Sequence, residues 1–416
     1  MNNQTVFLEG ANRIGLKLCR DAIWDNKQCN WVGASMEYID NGWKTVQRSF
    51  DTDLYNGTLG IAYFLSQLYG VTKDSVLKKT ALGCIENVIA NKLQTHEMAR
   101  IGFYTGWAGN VYILRKCSEL LEEIFFEEEI SFFLNGLHEC DLEKGGIDIL
   151  AGCAGAIPVL LKQKKNKEKH IALAEKIASY LISIAYKTDY GWSWNTLDRS
   201  SGNNKNNLAG FSHGTAGIAW AFLELFAATN SNQYEQAALK AFEYEKSLFS
   251  EHHGNWPDLR NAENDLQKKV VNNYASVAWC HGAPGIGLSR LRAFEITGSE
   301  EFKTETSIAV DTTAKNISAA WASGNGNFSL CHGIGGNSDL LIEYAKHFNN
   351  NELLNAPASV ALEAIKNNIT NNNPWQCGLQ GAGETQGLML GLSGIGYFLL
   401  RLYDSKKIPS ILIYPN

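Results

Sequence analysis

The 416-residue sequence predicts an all-α fold: an α/α toroid, a closed double barrel of about seven inner and seven outer helices. Three observations predict it. A Gly-x-x-Gly followed by an apolar run occurs seven times, at Gly57-Thr-Leu-Gly60, Gly106-Trp-Ala-Gly109, Gly152-Cys-Ala-Gly155, Gly214-Thr-Ala-Gly217, Gly282-Ala-Pro-Gly285, Gly333-Ile-Gly-Gly336 and Gly391-Leu-Ser-Gly394. Successive first glycines are 49, 46, 62, 68, 51 and 58 residues apart, and each interval holds two helices and their connections. Finally, the two helical patterns within a repeat differ in where their apolar residues fall.

The stretch 1–50 precedes the first repeat and reads as an extension packed on the barrel, with 51–416 forming the toroid. Within the extension, Ala11 to Trp24 has helical spacing, while Cys29-Asn30-Trp31 and Trp43 read as a loop. The runs opened by the glycines, such as Ile61-Ala-Tyr-Phe-Leu, Ile218-Ala-Trp-Ala-Phe-Leu and Ile395-Gly-Tyr-Phe-Leu-Leu, are apolar nearly all round. A helix without a polar face belongs in the interior. Ser75 to Lys92, His170 to Tyr186 and Gln233 to Phe249 are polar on one side only, as outer helices should be. The glycines then form tight turns at one rim, and the residue before each first glycine faces the central cavity. Asn203 to Asn207 and Glu251 to Asn273 read as long rim loops. Glu122 to Glu129 and Lys162 to Lys169 read as solvated faces or connections.

A net charge of −6 provides no field for nucleic acid or an anionic membrane. The longest apolar runs are interrupted, as Ile147 to Leu161 is by Asp148, Gly152 and Pro158, so no membrane-spanning helix is expected. Met-Asn-Asn-Gln-Thr at the start lacks a basic region followed by an apolar core, which argues against a secretory signal. The nine cysteines are odd in number, and Cys84, Cys117 and Cys153 lie in apolar helical stretches. Buried free thiols in a reducing cytoplasm account for this pattern better than a disulfide framework.

Aligned on the first glycine, the preceding residues are Asn56, Thr105, Ala151, His213, His281, His332 and Leu390. Three of the nine histidines thus share one position in consecutive repeats, and Cys280 and Cys331 precede two of them. Alone, each cysteine would read as a buried apolar residue. Paired in register beside imidazoles, they read as zinc ligands. His332 is favoured as the third ligand; His281 either replaces it or lines the cavity as a hydrogen-bonding group. Three protein ligands leave one tetrahedral position open, where a second thiol could bind. His213 reads as an acid/base group, with a satisfied core histidine as the alternative. Asp148, four residues before Gly152, reads equally as a catalytic carboxylate or a helix cap. Trp192, Trp194, Trp256 and Trp375 either contact a peptide or pack on the barrel.

Gly210-Phe-Ser-His-Gly-Thr-Ala-Gly-Ile, Trp279-Cys-His-Gly-Ala-Pro-Gly-Ile-Gly, Leu330-Cys-His-Gly and Gly391-Leu-Ser-Gly-Ile-Gly-Tyr resemble the signature motifs of LanC-like lanthionine cyclases. The resemblance runs from about Leu54 to the C-terminus. Trp-Cys-His-Gly, Asn255-Trp-Pro-Asp and Pro409-Ser-Ile-Leu are similar to the cyclase domain of the bifunctional LanM synthetases. With no dehydratase region in this sequence, the resemblance implies a free-standing cyclase or an excised C-terminal half. It also implies an α/α toroid with zinc on Cys280, Cys331 and His332, an acid/base histidine at His213 and the family's aspartate at Asp148. Some members carry an arginine shortly before the first cysteine; Asn272 to Ala278 here contains no basic residue.

The reaction implied is a Michael-type addition of a peptide cysteine thiol to dehydroalanine or dehydrobutyrine, forming a thioether ring. The partner implied is a dehydrated precursor peptide, with a separate dehydratase of the kinase/lyase or glutamylation type. Addition of glutathione to dehydroamino acids is the nearest alternative, and a non-catalytic zinc-containing peptide-binding module is another. A thiol prenyltransferase would require a basic diphosphate site, and this rim offers few Arg or Lys.

Overall fold

A computed structural model describes residues 3–39, 42–122, 126–197, 207–260, 276–324, 326–379 and 381–414. By compactness the chain forms two units, one of Met1–His96, Thr105–Gly136 and Ile317–Ser410, the other of Glu97–Tyr104, Leu137–Asn316 and Ile411–Asn416. Of the expected rim loops, 203–206 and 261–273 lie outside the described residues.

Each of the seven first glycines is the residue at which a helical segment begins. Five of the helices that follow are 15 residues long: Thr58–Thr72, Trp107–Leu121, Thr215–Thr229, Ala283–Thr297 and Ile334–Phe348. All five end on a left-handed residue: Lys73, Glu122, Asn230, Gly298 or Asn349. The third repeat departs from this pattern. Gly152 opens a 3₁₀ turn, Cys153–Gly155, which leads into the short helix Ala156–Leu161. The last repeat forms the 13-residue helix Leu392–Asp404.

The geometry of the turn explains both glycines. A glycine cap has no side chain to accept from the exposed N–H groups of the first helical turn. The preceding loop supplies a carbonyl instead, through Thr58 N to Asp51 O (2.9 Å), Thr215 N to Leu208 O (3.0 Å), Ile334 N to Asn327 O (2.8 Å) and Leu392 N to Thr385 O (2.8 Å). The loop consequently lies on the helix's first turn. A Cβ on the second glycine would collide with it, 1.8 Å from the Leu330 oxygen at Gly336 and 2.0 Å from the Trp279 oxygen at Gly285.

In the first unit, Leu392–Asp404 packs against both Ile334–Phe348 and Thr58–Thr72, so the last repeat lies beside the first. Ser75–Ala90 covers Thr58–Thr72 from outside. The N-terminal helix Asn3–Asp21 packs on Leu392–Asp404 and so serves as the outer partner of the last repeat. Gly10 permits this approach: a Cβ there would sit 3.0 Å from Leu399. In the second unit, Ala156–Leu161, Thr215–Thr229 and Ala283–Thr297 are neighbours in that order, with Lys167–Ser183 and Asn232–Leu248 outside them. The glycine-opened helices are buried on every side through their first turns, as at Thr58–Leu65 and Thr215–Leu223.

Two expectations are corrected. The segment read as a loop around Cys29-Asn30-Trp31 and Trp43 is strand: Ile23–Asp25 pairs with Gln28–Asn30, and Val32–Ile39 pairs with Gly42–Ser49, both antiparallel. Trp31 is buried and its indole N–H donates to the Leu18 carbonyl at 3.0 Å, which ties the hairpins to the N-terminal helix. In addition, the helix expected to reach Tyr186 stops at Ser183, and Tyr186–Thr188 forms a hairpin with Gly191–Ser193. Trp194, Trp256 and Trp375 are buried, so packing is their role here. None of the nine cysteines is in a disulfide. Among the described residues no helix is long and apolar enough to cross a membrane.

Candidate metal centre and acid–base pair

The sequence-predicted residues fall in two groups, one in each unit. Cys331 and His332 belong to the first unit and close the loop before Ile334–Phe348. A ring nitrogen of His332 lies within 4.8 Å of the Cys331 sulfur. Cys331 is buried, and its Sγ accepts a hydrogen bond from the Tyr55 hydroxyl at 3.0 Å. His332 Nε2 lies 2.9 Å from the Gly378 carbonyl oxygen. A carbonyl only accepts, so Nε2 carries the proton and Nδ1 keeps its lone pair. Metal-binding histidines are commonly oriented by such a second hydrogen bond. Gly378 lets the backbone approach this closely: a Cβ there would sit 2.9 Å from the Ser329 side chain and 3.1 Å from the imidazole.

Asp148, His213, Cys280 and His281 belong to the second unit. His213 Nδ1 is 2.7 Å from Asp148 Oδ2. The other carboxylate oxygen of Asp148 accepts from the Ala151 N–H at 2.8 Å. One oxygen of Asp148 thus caps the turn, the capping role its spacing suggested, while the other meets the histidine. The two loops are also joined through the Ser212 carbonyl, which accepts from Ile149 N and Leu150 N at 3.2 Å each. Burial opposes a charge on His213, but the Asp148 carboxylate outweighs it, and the imidazole titrates above its ordinary value.

Cys280 and His281 are both buried. The loop that carries them is held by Asn255, which accepts from Ala283 N at 2.8 Å and donates to the Ser276 carbonyl at 3.0 Å. At this repeat the Asn255 side chain supplies the acceptor that a loop carbonyl supplies elsewhere. Trp279 is buried, and its indole N–H donates to the Leu412 carbonyl at 3.1 Å. The His281 ring lies 6.2 Å from that of His213. Burial, reinforced by the Arg260 guanidinium, pushes the His281 imidazole down to about 4. It is thus neutral near pH 7.

Three contributors were missed by sequence reasoning. Tyr55 lies two residues before its glycine, outside the register position that drew attention to the histidines. Glu245 sits on the outer helix Asn232–Leu248, where a glutamate reads as solvated. It is fully buried, and Oε1 accepts from both Gly210 N and Ala216 N at 3.0 Å. Those two amides bracket His213. Arg290 approaches Glu245 Oε2 at 3.0 Å, as a neighbouring charge more than as an aligned hydrogen bond. Arg260, which pairs with Asp258 at 2.6 Å, is the basic residue whose field reaches both His213 and His281. Of the stretch before Cys280 that has no basic residue, 272–275 lie outside the described residues.

A family model described as "Lanthionine synthetase C-like protein" matches residues 48–413. The chain belongs to that family. It is 27% identical over 406 residues to the lacticin 481/lactococcin biosynthesis protein LcnDR2 of Lactococcus lactis subsp. lactis, covering 92% of this chain and 39% of that protein. Against the nisin biosynthesis protein NisC of the same organism it is 25% identical over 308 residues, 68% of this chain and 71% of that one. Among solved structures, nisin cyclase is similar with a TM-score of 0.60 at 18% identity, over 86% of this chain and 90% of that one. The Lin0763 protein of Listeria innocua has a TM-score of 0.51 at 12% identity, over 95% and 97%. The fold class is therefore the all-α α/α toroid that the repeats predict.

Proposed function

We propose that this family member is a zinc-dependent lanthionine cyclase that closes thioether rings in a dehydrated precursor peptide. The observation that carries the reading is the ligand-ready state of Cys331 and His332: a sulfur that accepts from Tyr55, and an imidazole whose Nδ1 lone pair is left free. Cys280, at the register position of Cys331 in the preceding repeat, is the proposed third ligand. Two sulfurs and one imidazole suit zinc and leave a coordination position for substrate. Zinc held there would favour the thiolate form of a substrate cysteine, whose thiol is otherwise only a few per cent ionised at neutral pH.

The remaining chemistry falls to the chain's own residues. The thiol loses its proton, and its sulfur bonds to the β-carbon of the dehydro residue. The π pair moves toward the α-carbon and the adjoining carbonyl oxygen, forming an enolate. His213 donates Nδ1–H to Asp148, which directs Nε2 toward substrate. Because Asp148 favours its protonated form, His213 serves as the acid that returns one proton to the α-carbon. One proton leaves and one returns, so mass is conserved. Neutral His281 supplies a hydrogen-bonding nitrogen beside His213. A separate dehydratase activity supplies the substrate, and we assign the reaction to the cytoplasm, where the thiols stay reduced.

Alkylation mass spectrometry tests this reading. A dehydrated, cysteine-containing peptide incubated with the protein should keep its mass and lose its alkylatable thiol. A thiol that stays fully alkylatable would reject cyclisation. A mass gain equal to glutathione, with glutathione present, would favour the alternative addition.

A further inference from the structure

A cavity of about 460 Å³ opens between the N-terminal helix Asn3–Asp21 and the asparagine-rich turn that follows Asn355–Ile365. It lies wholly within the first unit, and none of its lining residues belongs to the site described above. Three lining residues are cationic (Arg13, Lys17 and Arg20) and one, Glu384, is anionic. That balance runs against the chain's net charge of −6.

The cations follow one face of the helix. At about 1.5 Å per residue, positions 13 to 20 extend over about 10 Å. Their side chains are 58%, 37% and 71% exposed, although each already has an acidic neighbour. Arg13 meets Glu9 at 3.1 Å, Arg20 meets Asp21 at 2.8 Å, and Lys17 meets Asp21 at 3.0 Å and Glu384 at 3.4 Å. Exposed pairs of this kind contribute little, so an incoming carboxylate can replace them readily.

The opposite wall is built rather than loose. Asn355–Ile365 runs into a π-helical turn, Lys366–Thr370, a distortion that recurs at functional sites. Asn368 then donates to the Pro374 carbonyl at 2.7 Å and fixes the returning loop. Trp375 is buried, and its backbone N–H donates to Glu384 at 2.9 Å.

We propose that this cavity binds an acidic peptide segment in extended form, with its carboxylates on Arg13, Lys17 and Arg20. A single phosphate or carboxylate cannot span a row of about 10 Å, whereas about three residues of extended chain at roughly 3.3 Å each can. The lining asparagine Asn372 offers both a donor and an acceptor, as a peptide backbone requires and a phosphate does not. The volume falls within the roughly 300–1,000 Å³ typical of binding pockets. The inference does not depend on the cyclase reading.

Fluorescence anisotropy on the full chain tests it, with a short labelled peptide carrying glutamates three residues apart. Saturable binding is expected, weakening as salt rises. The double variant Lys17→Glu/Arg20→Glu should bind roughly tenfold or more weakly, as should the peptide with glutamine for glutamate. These side chains are exposed, so the circular dichroism spectrum should not change. A peptide with lysine in place of glutamate should bind the double variant better than the wild type, which guards against simple misfolding. Equal binding by wild type and double variant would overturn the proposal. Displacement of the peptide by millimolar inorganic phosphate would overturn the peptide assignment and make the cavity a phosphate site.

Discussion

His213 Nδ1 and Asp148 Oδ2 lie 2.7 Å apart, although the residues belong to different repeats and are separated by 65 positions in the chain. The same carboxylate holds Ala151 N with its other oxygen, so the position of the histidine is set by the turn that Asp148 itself caps.

Asp148→Asn separates these roles. Asparagine retains an oxygen for Ala151 N but loses the charge that raises the His213 pKa. The imidazole should titrate lower than in the wild type, and ring closure should slow by roughly 10²–10⁴-fold at neutral pH. Histidine NMR titration checks the first effect and alkylation mass spectrometry the second. The sign for stability follows from the raised pKa. In the wild type the pair's contribution is complete below the ordinary value of 6.5 and is lost as pH rises through the folded value. In Asp148→Asn that part of the pH dependence of unfolding should disappear.

Tyr55→Phe removes the hydroxyl that donates to Cys331 Sγ. Loss of such a supporting contact typically lowers metal affinity by about 10–100-fold. Competition with a chromogenic chelator should detect this change, while the thermal melt of the metal-free protein stays close to wild type. Unchanged zinc affinity would mean that Tyr55 does not support the thiolate.

Glu245→Ala removes one of the two carboxylates that meet buried Arg290 and strips two amides beside His213 of their acceptor. Breaking a buried pair from one side costs about 3–5 kcal/mol. Arg290 keeps Glu305, so the lower end applies. Urea unfolding should show the loss, and Glu245→Ala/Arg290→Met should recover part of it. A change below about 0.5 kcal/mol, the usual range for surface substitutions, would mean that Glu245 does not hold the loop.

Gly336→Ala places a methyl group 1.8 Å from the Leu330 carbonyl, one residue before Cys331. Overpacking of this kind costs about 1–3 kcal/mol. Backbone must move to relieve it, so zinc retention should fall as well as stability. Denaturant melts combined with metal analysis separate the two effects. A stable variant with full zinc would show that the loop tolerates displacement.

The repeat was legible because one steric requirement recurs. At Gly60, Gly155, Gly217, Gly285, Gly336 and Gly394 a loop carbonyl lies where a Cβ would be, and that demand leaves the same mark wherever it applies. The histidines and cysteines stood out for the same reason, as chemical departures at a fixed register. What escaped was set by tertiary context. Asn3–Asp21 partners a helix nearly four hundred residues away, and no local pattern records that pairing. The Ile23–Asp25 and Gln28–Asn30 strands are only three residues each, and Trp31 is buried through a contact with Leu18 that composition does not reveal. Glu245 carries the ordinary signature of a solvated helix face, and only the fold buries it against Arg290. Tyr55 shares the register position of Cys280 and Cys331, two residues before the first glycine, but a tyrosine there reads as ordinary packing.

Metal content bears most directly on the central claim, that Cys280, Cys331 and His332 form one thiolate–imidazole centre. Wild-type protein purified in the presence of zinc should carry about one equivalent per chain, the complement of a single such site, and Cys280→Ala/Cys331→Ala should carry essentially none while keeping its helical circular dichroism. Full zinc occupancy in that folded double variant would contradict the account.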